Sequence, residues 1–144
     1  MVKGLDKHAK YEILEAIRRA EEGTSGEVRV HVKPRCAEDV MGQAQKVFRR
    51  LGMHRTKQRN AVLVFVATDS RRFAIVGDKD IHGKVGDAFW ERARDTMQEH
   101  FSKGDITGGI VAGVQRVGER LKEHYPAHGE NPDELSNQIS EDRK

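Results

Sequence analysis

Residues 60–90 read NAVLVFVATDSRRFAIVGDKDIHGKVGDAFW, and this stretch decides the fold. Ala61 to Ala67 is an unbroken apolar run rich in Val, too short for a globular helix and bounded by polar clusters. It reads as a strand buried on both faces. Thr68-Asp69-Ser70-Arg71 follows as a turn, because Asp and Ser side chains hydrogen-bond their own backbone. Phe73 to Val76 then returns as a second strand, antiparallel to the first. Gly77-Asp78-Lys79-Asp80 leaves that strand and leads through a Gly-containing loop into a helix carrying Phe89 and Trp90.

Outward from this hairpin, the N-terminal flank supplies a helix, a strand and a second helix. From Asp6 to Glu22, Ala9, Ile13, Leu14, Ile17 and Ala20 recur at helical spacing, and Gly23 is placed to end the helix. Glu27 to Lys33 alternates, with Val28, Val30 and Val32 on one side and Arg29, His31 and Lys33 on the other. That pattern predicts a half-buried strand near a sheet edge. Asp39 caps a helix whose inner face is Val40, Ala44, Val47, Phe48 and Leu51. Strand, helix and strand in succession predict a right-handed crossover and a parallel pair.

The C-terminal flank is helical. Val85, Phe89, Ala93, Met97 and Phe101 recur every four residues, and Lys103-Gly104 breaks the pattern. Ile106, Ile110, Val114, Val117 and Leu121 form the next inner face, ended by Tyr125-Pro126. Gly109 and Gly113, one turn apart, point to close packing against a neighbour. The expected architecture is a single α/β domain over residues 1–126, with a small mixed sheet of three to four strands between helices. Residues 127–144 are expected to be a polar, flexible tail, with Leu135 and Ile139 able to dock only weakly.

Composition narrows the function classes. The chain has 144 residues, 34% charged and 36% hydrophobic, and a net charge of +3. That length suits one self-sufficient core, and the mild charge keeps the chain soluble without naming a partner. Met1-Val2-Lys3-Gly4 is followed by charged residues, so neither a secretory leader nor a transmembrane segment is expected. With a single cysteine, Cys36, this suits a cytoplasmic protein, expected as a monomer with an unidentified protein partner. Cys36 and the seven histidines, His31 among them on a polar face, lack catalytic or metal-ligand spacing. The basic segment Arg49, Arg50, His54, Arg55, Lys57 and Arg59 has no interleaved aromatics. It reads as a solvated face rather than a nucleic-acid surface.

Strand directions bring particular residues together. If the first two strands are parallel and the hairpin returns, Thr24, Gly26, Glu27, Asn60, Gly77, Asp78 and Asp80 share one sheet edge. The entry to the next helix, near Asp87, joins them. Glu27, Asp78, Asp80 and Asp87 are the candidate metal ligands, since clustered carboxylates suit a hard cation such as calcium or magnesium. The competing reading is that these side chains cap the turn and helix that follow. No catalytic residue is assigned.

Thr24-Ser25-Gly26-Glu27 after a first helix, Asn60 opening VLVFVA, and the hairpin with Arg71 and Arg72 form an ordered pattern. Gly77-Asp78-Lys79-Asp80-Ile81, Trp90, Met97, Phe101, Gly104 and Gly108-Gly109-Ile110 extend it. The pattern resembles the TPM domain, named for thylakoid lumen, photosystem-repair and nematode receptor-associated members, in its soluble bacterial branch. Asp133-Glu134-Leu135-Ser136-Asn137 is similar to that branch's ending, with Ser136 where Pro is common, and Asp80 stands where Gly is frequent. The resemblance implies a mixed sheet between helices, divalent-cation binding at Asp78 and Glu27, acid phosphatase activity and stress-related maintenance of protein complexes. Three functional readings follow: a module holding a divalent cation or small anion, a metal-assisted phosphomonoester hydrolase, and an interaction protein using its basic face.

Overall fold

The structure, a computed structural model, describes residues 5–37, 39–127 and 139–142. Its elements in chain order are α1 (Lys7–Glu21), β1 (Glu27–Lys33), α2 (Val40–Arg50), a 3-10 turn (Met53–Arg55), β2 (Ala61–Ala67), β3 (Arg72–Gly77), α3 (Lys79–Val85), α4 (Asp87–Ser102), α5 (Ile106–His124) and β4 (Ile139–Glu141). The sheet order is β3-β2-β1-β4, with β1 and β2 parallel, β2 and β3 antiparallel, and β4 parallel to β1. The α/β sandwich expected from the sequence is therefore present.

Every residue of β2 is buried, because helices cover both faces of the sheet. Val28, Val30, Val32, Val62, Val64 and Val66 point into one core with apolar residues of α1, α3, α4 and α5. Ala61, Leu63, Phe65 and Ala67 point the other way, into a smaller core under α2 and Met53. Strict alternation along a pleated strand produces these two cores. Asp6, Asp39, Asp78 and Asp105 cap the N-termini of α1, α2, α3 and α5, each accepting a backbone N–H of the first turn. Gly23, at φ +81°, follows the end of α1 in the left-handed conformation that the sequence reading assigns to it.

Several expectations change. β1 lies near an edge as expected but is not the edge strand itself, because β4 pairs along its outer side with Val30 opposite Ile139 and Val32 opposite Glu141. The strand comes from residues expected to form a flexible tail, so the folded unit extends past residue 126. Three residues with a polar pair carry no detectable period, and only the open edge of β1 makes them a strand. Leu135 lies outside the described residues. His31 is accordingly not on a solvated face but 1% exposed, stacked on Phe65. Its Nδ1 is 2.7 Å from Ser140 Oγ and its Nε2 is 3.0 Å from Asp142 Oδ2.

Asp80 is not in a loop. Residues 79–85 form α3, a short helix between the hairpin and α4. Leu14, predicted inward, is 39% exposed, and Ala16 takes the buried place on α1. Gly109, Gly113 and Gly118 are packed closely as expected of the first two: an added Cβ would fall within 3 Å of Phe101, Met97 and Ala20, respectively.

Candidate binding cleft

The predicted edge exists. Glu27 is opposite Ala61, Val62 is opposite Gly77, and Asp78 N donates to Ala61 O at 2.9 Å. The starts of β1 and β2 thus meet the end of β3. The end of α5 joins them by contacts that no local pattern announces. Ser25 N donates to Tyr125 O at 3.0 Å, and the Thr24 hydroxyl lies 3.0 Å from Leu121 O. Tyr125 is thereby laid against α3.

Asp78 sits at the centre of this edge, nearly enclosed. Arg59 grips it with two parallel bonds, Nε to Oδ2 at 2.7 Å and Nη2 to Oδ1 at 2.8 Å. Lys79 N also donates to Oδ1, at 2.8 Å. Such a fork is charge-assisted and geometrically specific. Arg59 adopts φ +53°, uncommon for a residue with a side chain. The Asp78 fork and the bond from Asp80 N to Arg59 O hold it there.

Asp80, on the first turn of α3, accepts the Tyr125 hydroxyl and lies 3.4 Å from Lys84 Nζ. The Tyr125 hydrogen bond, supported by Lys84, holds the Asp80 carboxyl below its ordinary range. Burial pushes the Tyr125 phenol well above its ordinary range, and the Asp80 carboxylate adds to the effect. Lys84 Nζ also lies 4.4 Å from the centre of the Tyr125 ring, a cation–π distance.

The four candidate ligands are not gathered around one point. Glu27 is 3% exposed and engaged within the protein. Asp78 is occupied by Arg59, and Asp80 by Tyr125 and Lys84. Asp87 opens α4 with its side chain 89% exposed, 3.8 Å from His82. Among the described residues no group of three or more His, Cys, Asp or Glu side chains is placed to hold a metal ion. As arranged, these carboxylates do not fit a divalent cation without displacing Arg59. Asn60 Nδ2 donates to Ser25 and Gln58, whereas the enclosed Asn60 Oδ1 has no partner among the described residues.

The cleft beside this edge has a volume of about 580 Å³ and a different charge from the one expected. Lys57, Arg59, Lys79, Lys84 and His124 line it, with Asp80 as its carboxylate and Tyr125 as its floor. Sequence reasoning placed the carboxylates at this edge but missed Tyr125 and His124, which α5 brings from far along the chain. It read Lys57 and Arg59 as part of one solvated basic face. The structure divides that segment, sending Arg50 to Asp142 and placing Lys57 and Arg59 at the cleft. Cys36 is buried at the opposite edge, its N–H donating to Ser70 Oγ.

A four-stranded mixed sheet between helices, with a cleft at the edge where its parallel strands begin, defines a small α/β sandwich. Residues 2–120 match the model of the TPM domain, and the chain belongs to that family. Its structure is similar to the NMR structure of BA42 protein from the psychrophilic bacterium Bizionia argentinensis, at 39% identity and TM-score 0.88, covering 96% of this chain and 95% of that one. The N-terminal domain of a protein from P. gingivalis gives 22% identity and TM-score 0.72 over 88% of this chain and 83% of its own. The N-terminal domain of cg2496 protein from Corynebacterium glutamicum gives 16% and 0.67 over 90% and 80%. These last two show a shared fold alone. No curated protein matches the chain. Among the described residues no helix is long and apolar enough to cross a membrane.

Proposed function

We propose that this TPM domain is a small binding module that takes an anion of the phosphate class in the cleft between α3, the end of α5 and the start of β2. The observation that carries this reading is the lining: Lys57, Lys79 and Lys84 converge there beside Arg59, whose charge Asp78 offsets, with Asp80 as the carboxylate of the lining. Lysine ammonium groups are mobile point charges that reach phosphate oxygens. Binding at the cleft would act through a protein partner, in line with the complex-maintenance role that the family resemblance implies.

A divalent cation is the second reading, favoured by Asn60 Oδ1, which is enclosed and has no donor among the described residues. A cation there would draw on Asn60 and on Asp78 released from Arg59. The hydrolase reading has less support. Tyr125 carries the one hydroxyl of the cleft lining, and Asp80 and burial keep it protonated.

An amide-resolved NMR titration separates these readings. With inorganic phosphate, the anion reading expects saturable shifts at Lys57, Lys79, Lys84 and His124, weakened in Lys84→Gln. With calcium or magnesium, the cation reading expects them at Glu27, Asn60 and Asp78. Phosphate shifts that are scattered and never saturate would overturn the first reading.

A further inference from the structure

β1 receives β4 along its outer edge, and four consecutive residues of the incoming segment each meet a built contact. Ile139 packs against the larger core, on the face of the sheet that α1 covers. Ser140 and Asp142 turn to the other face, where Ser140 Oγ lies 2.7 Å from His31 Nδ1 and Asp142 Oδ2 lies 3.0 Å from His31 Nε2. Arg50 of α2 reaches Asp142 Oδ1 at 3.2 Å, and Lys10 of α1 reaches Glu141 Oε1 at 2.7 Å. Asp142 N donates to Val32 O at 3.0 Å and extends the ladder by one residue. Backbone bonds hold the segment while alternate side chains enter sites on opposite faces, which is how a sheet edge reads an extended peptide.

Two features make this edge a receiving site as well as a strand pairing. His31 is buried, and both its ring nitrogens are partnered from the incoming segment. Without that segment the imidazole would lose both bonds, and an enclosed polar group left unpartnered is costly. The edge therefore favours an occupant with Ser and Asp two residues apart. The second feature is the division of the chain. Residues 2–120, which match the TPM domain, contain α1, β1 and α2, whereas the occupant lies beyond them. Residues 128–138 connect Ala127 to Ile139, and that length of chain spans up to about 40 Å when extended, enough to carry the strand to another molecule.

We propose that the β1 edge is a strand-receiving site whose partner in trans is a second copy of this chain, residues 139–142 of each copy adding to β1 of the other in a reciprocal dimer. A second copy carries Ile, Ser, Glu and Asp in the same order, so exchange keeps every contact named above and leaves each His31 with both partners. Charge alone does not select this occupant. The apolar place beside α1, the Ser–Asp pair on His31 and the parallel direction must be met together. The tether holds a chain's own strand at an effective concentration of about the millimolar range, so the exchanged dimer is populated as the chain concentration approaches it.

The test uses the full chain in two forms. In the first, Ser140→Pro removes a backbone donor from β4 and opens the edge, while unchanged amide resonances in α4 and α5 report an intact fold. A synthetic peptide of residues 137–144, Asn-Gln-Ile-Ser-Glu-Asp-Arg-Lys, should then give saturable shifts at the amides of residues 30–32 and at the His31 ring. Lys in place of its Asp should weaken binding at least about tenfold, because His31 and Arg50 lose their carboxylate. In the second form, equal amounts of unmodified chain labelled with nitrogen or carbon isotopes are refolded together at about 1 mM. The expected result is a nuclear Overhauser contact between His31 of one copy and Ser140 of the other, with a dimer fraction that grows with concentration. Equal binding of the Lys peptide, or shifts away from β1, would overturn the receiving site. His31–Ser140 contacts confined to single copies at that concentration would overturn the second copy as its partner.

Discussion

Gly118→Ala tests the packing of α5 on α1. An added Cβ at Gly118 would lie 2.7 Å from Ala20 Cβ and 2.8 Å from Ala20 Cα. Carbon atoms in contact prefer about 3.5–4.0 Å, so the helices must part by roughly 1 Å. The obstructing atoms include backbone, so no side-chain rotation relieves the clash. Parting the helices loosens the layer in which Ile13 and Ile17 meet Val114, Val117 and Leu121. Overpacking of this kind costs about 1–3 kcal/mol. Alanine recovers about 0.5–1 kcal/mol of helix propensity over glycine. The expected net loss is therefore about 0–2.5 kcal/mol, centred near about 1 kcal/mol.

Gly83→Ala is the matched control. It lies within α3, and an added Cβ there meets nothing within 4 Å. Only the propensity gain of about 0.5–1 kcal/mol should appear. Urea unfolding of both variants, with unchanged dependence on denaturant, reads the difference as a shift of midpoint. Gly118→Ala should unfold earlier than the parent protein and Gly83→Ala later. If Gly118→Ala matched or exceeded Gly83→Ala in stability, the argument from helix contact would be refuted.

Acid should release β4. Burial lowers the His31 imidazole below its ordinary 6.5, despite the opposing pull of Asp142, with Arg50 and Lys33 adding to the lowering. A group with a depressed folded value stabilises fully above its unfolded value, so this contribution is intact above about pH 6.5 and is lost as pH falls below it. The Asp142 carboxyl is also lowered, since bonds from His31 and charge from Arg50 outweigh its burial, which extends the loss below 3.8. The protection of amides 139–141, taken relative to their intrinsic exchange rates, should fall between pH 7 and 5, and His31→Gln should remove that dependence; protection independent of pH would contradict it. Separately, Asp105→Ala should cost about 1 kcal/mol in urea unfolding, because Gly108 N loses its cap at 3.0 Å, while Asp105→Asn should retain most of the stability.

Local pattern alone carried much of the architecture. A short, β-branched apolar run has few ways to be buried, so Ala61–Ala67 announced a central strand and Asp39 and Gly23 announced helix ends. Pairing of β1 with β2 followed from the helix between them, and that placed Glu27, Asn60, Gly77 and Asp78 at one edge before any coordinates. Helix α3 was less legible, because seven residues containing Gly83 hold too short a period to separate from a loop. β4 was not legible at all, since its strand character resides in the free edge of β1 rather than in Ile139-Ser140-Glu141.

The charge of the site belonged wholly to the tertiary structure. Periodicity states which face of an element is buried, but it says nothing about which side chain meets Asp78. That Arg59 neutralises it, that Tyr125 arrives from the end of α5 to bind Asp80, and that Lys57, Lys79 and Lys84 then dominate the cleft depend on contacts between residues far apart in the chain. Electrostatic interactions act through space and burial, not through sequence spacing. An edge read as acidic along the chain is therefore a cationic cleft in the folded protein.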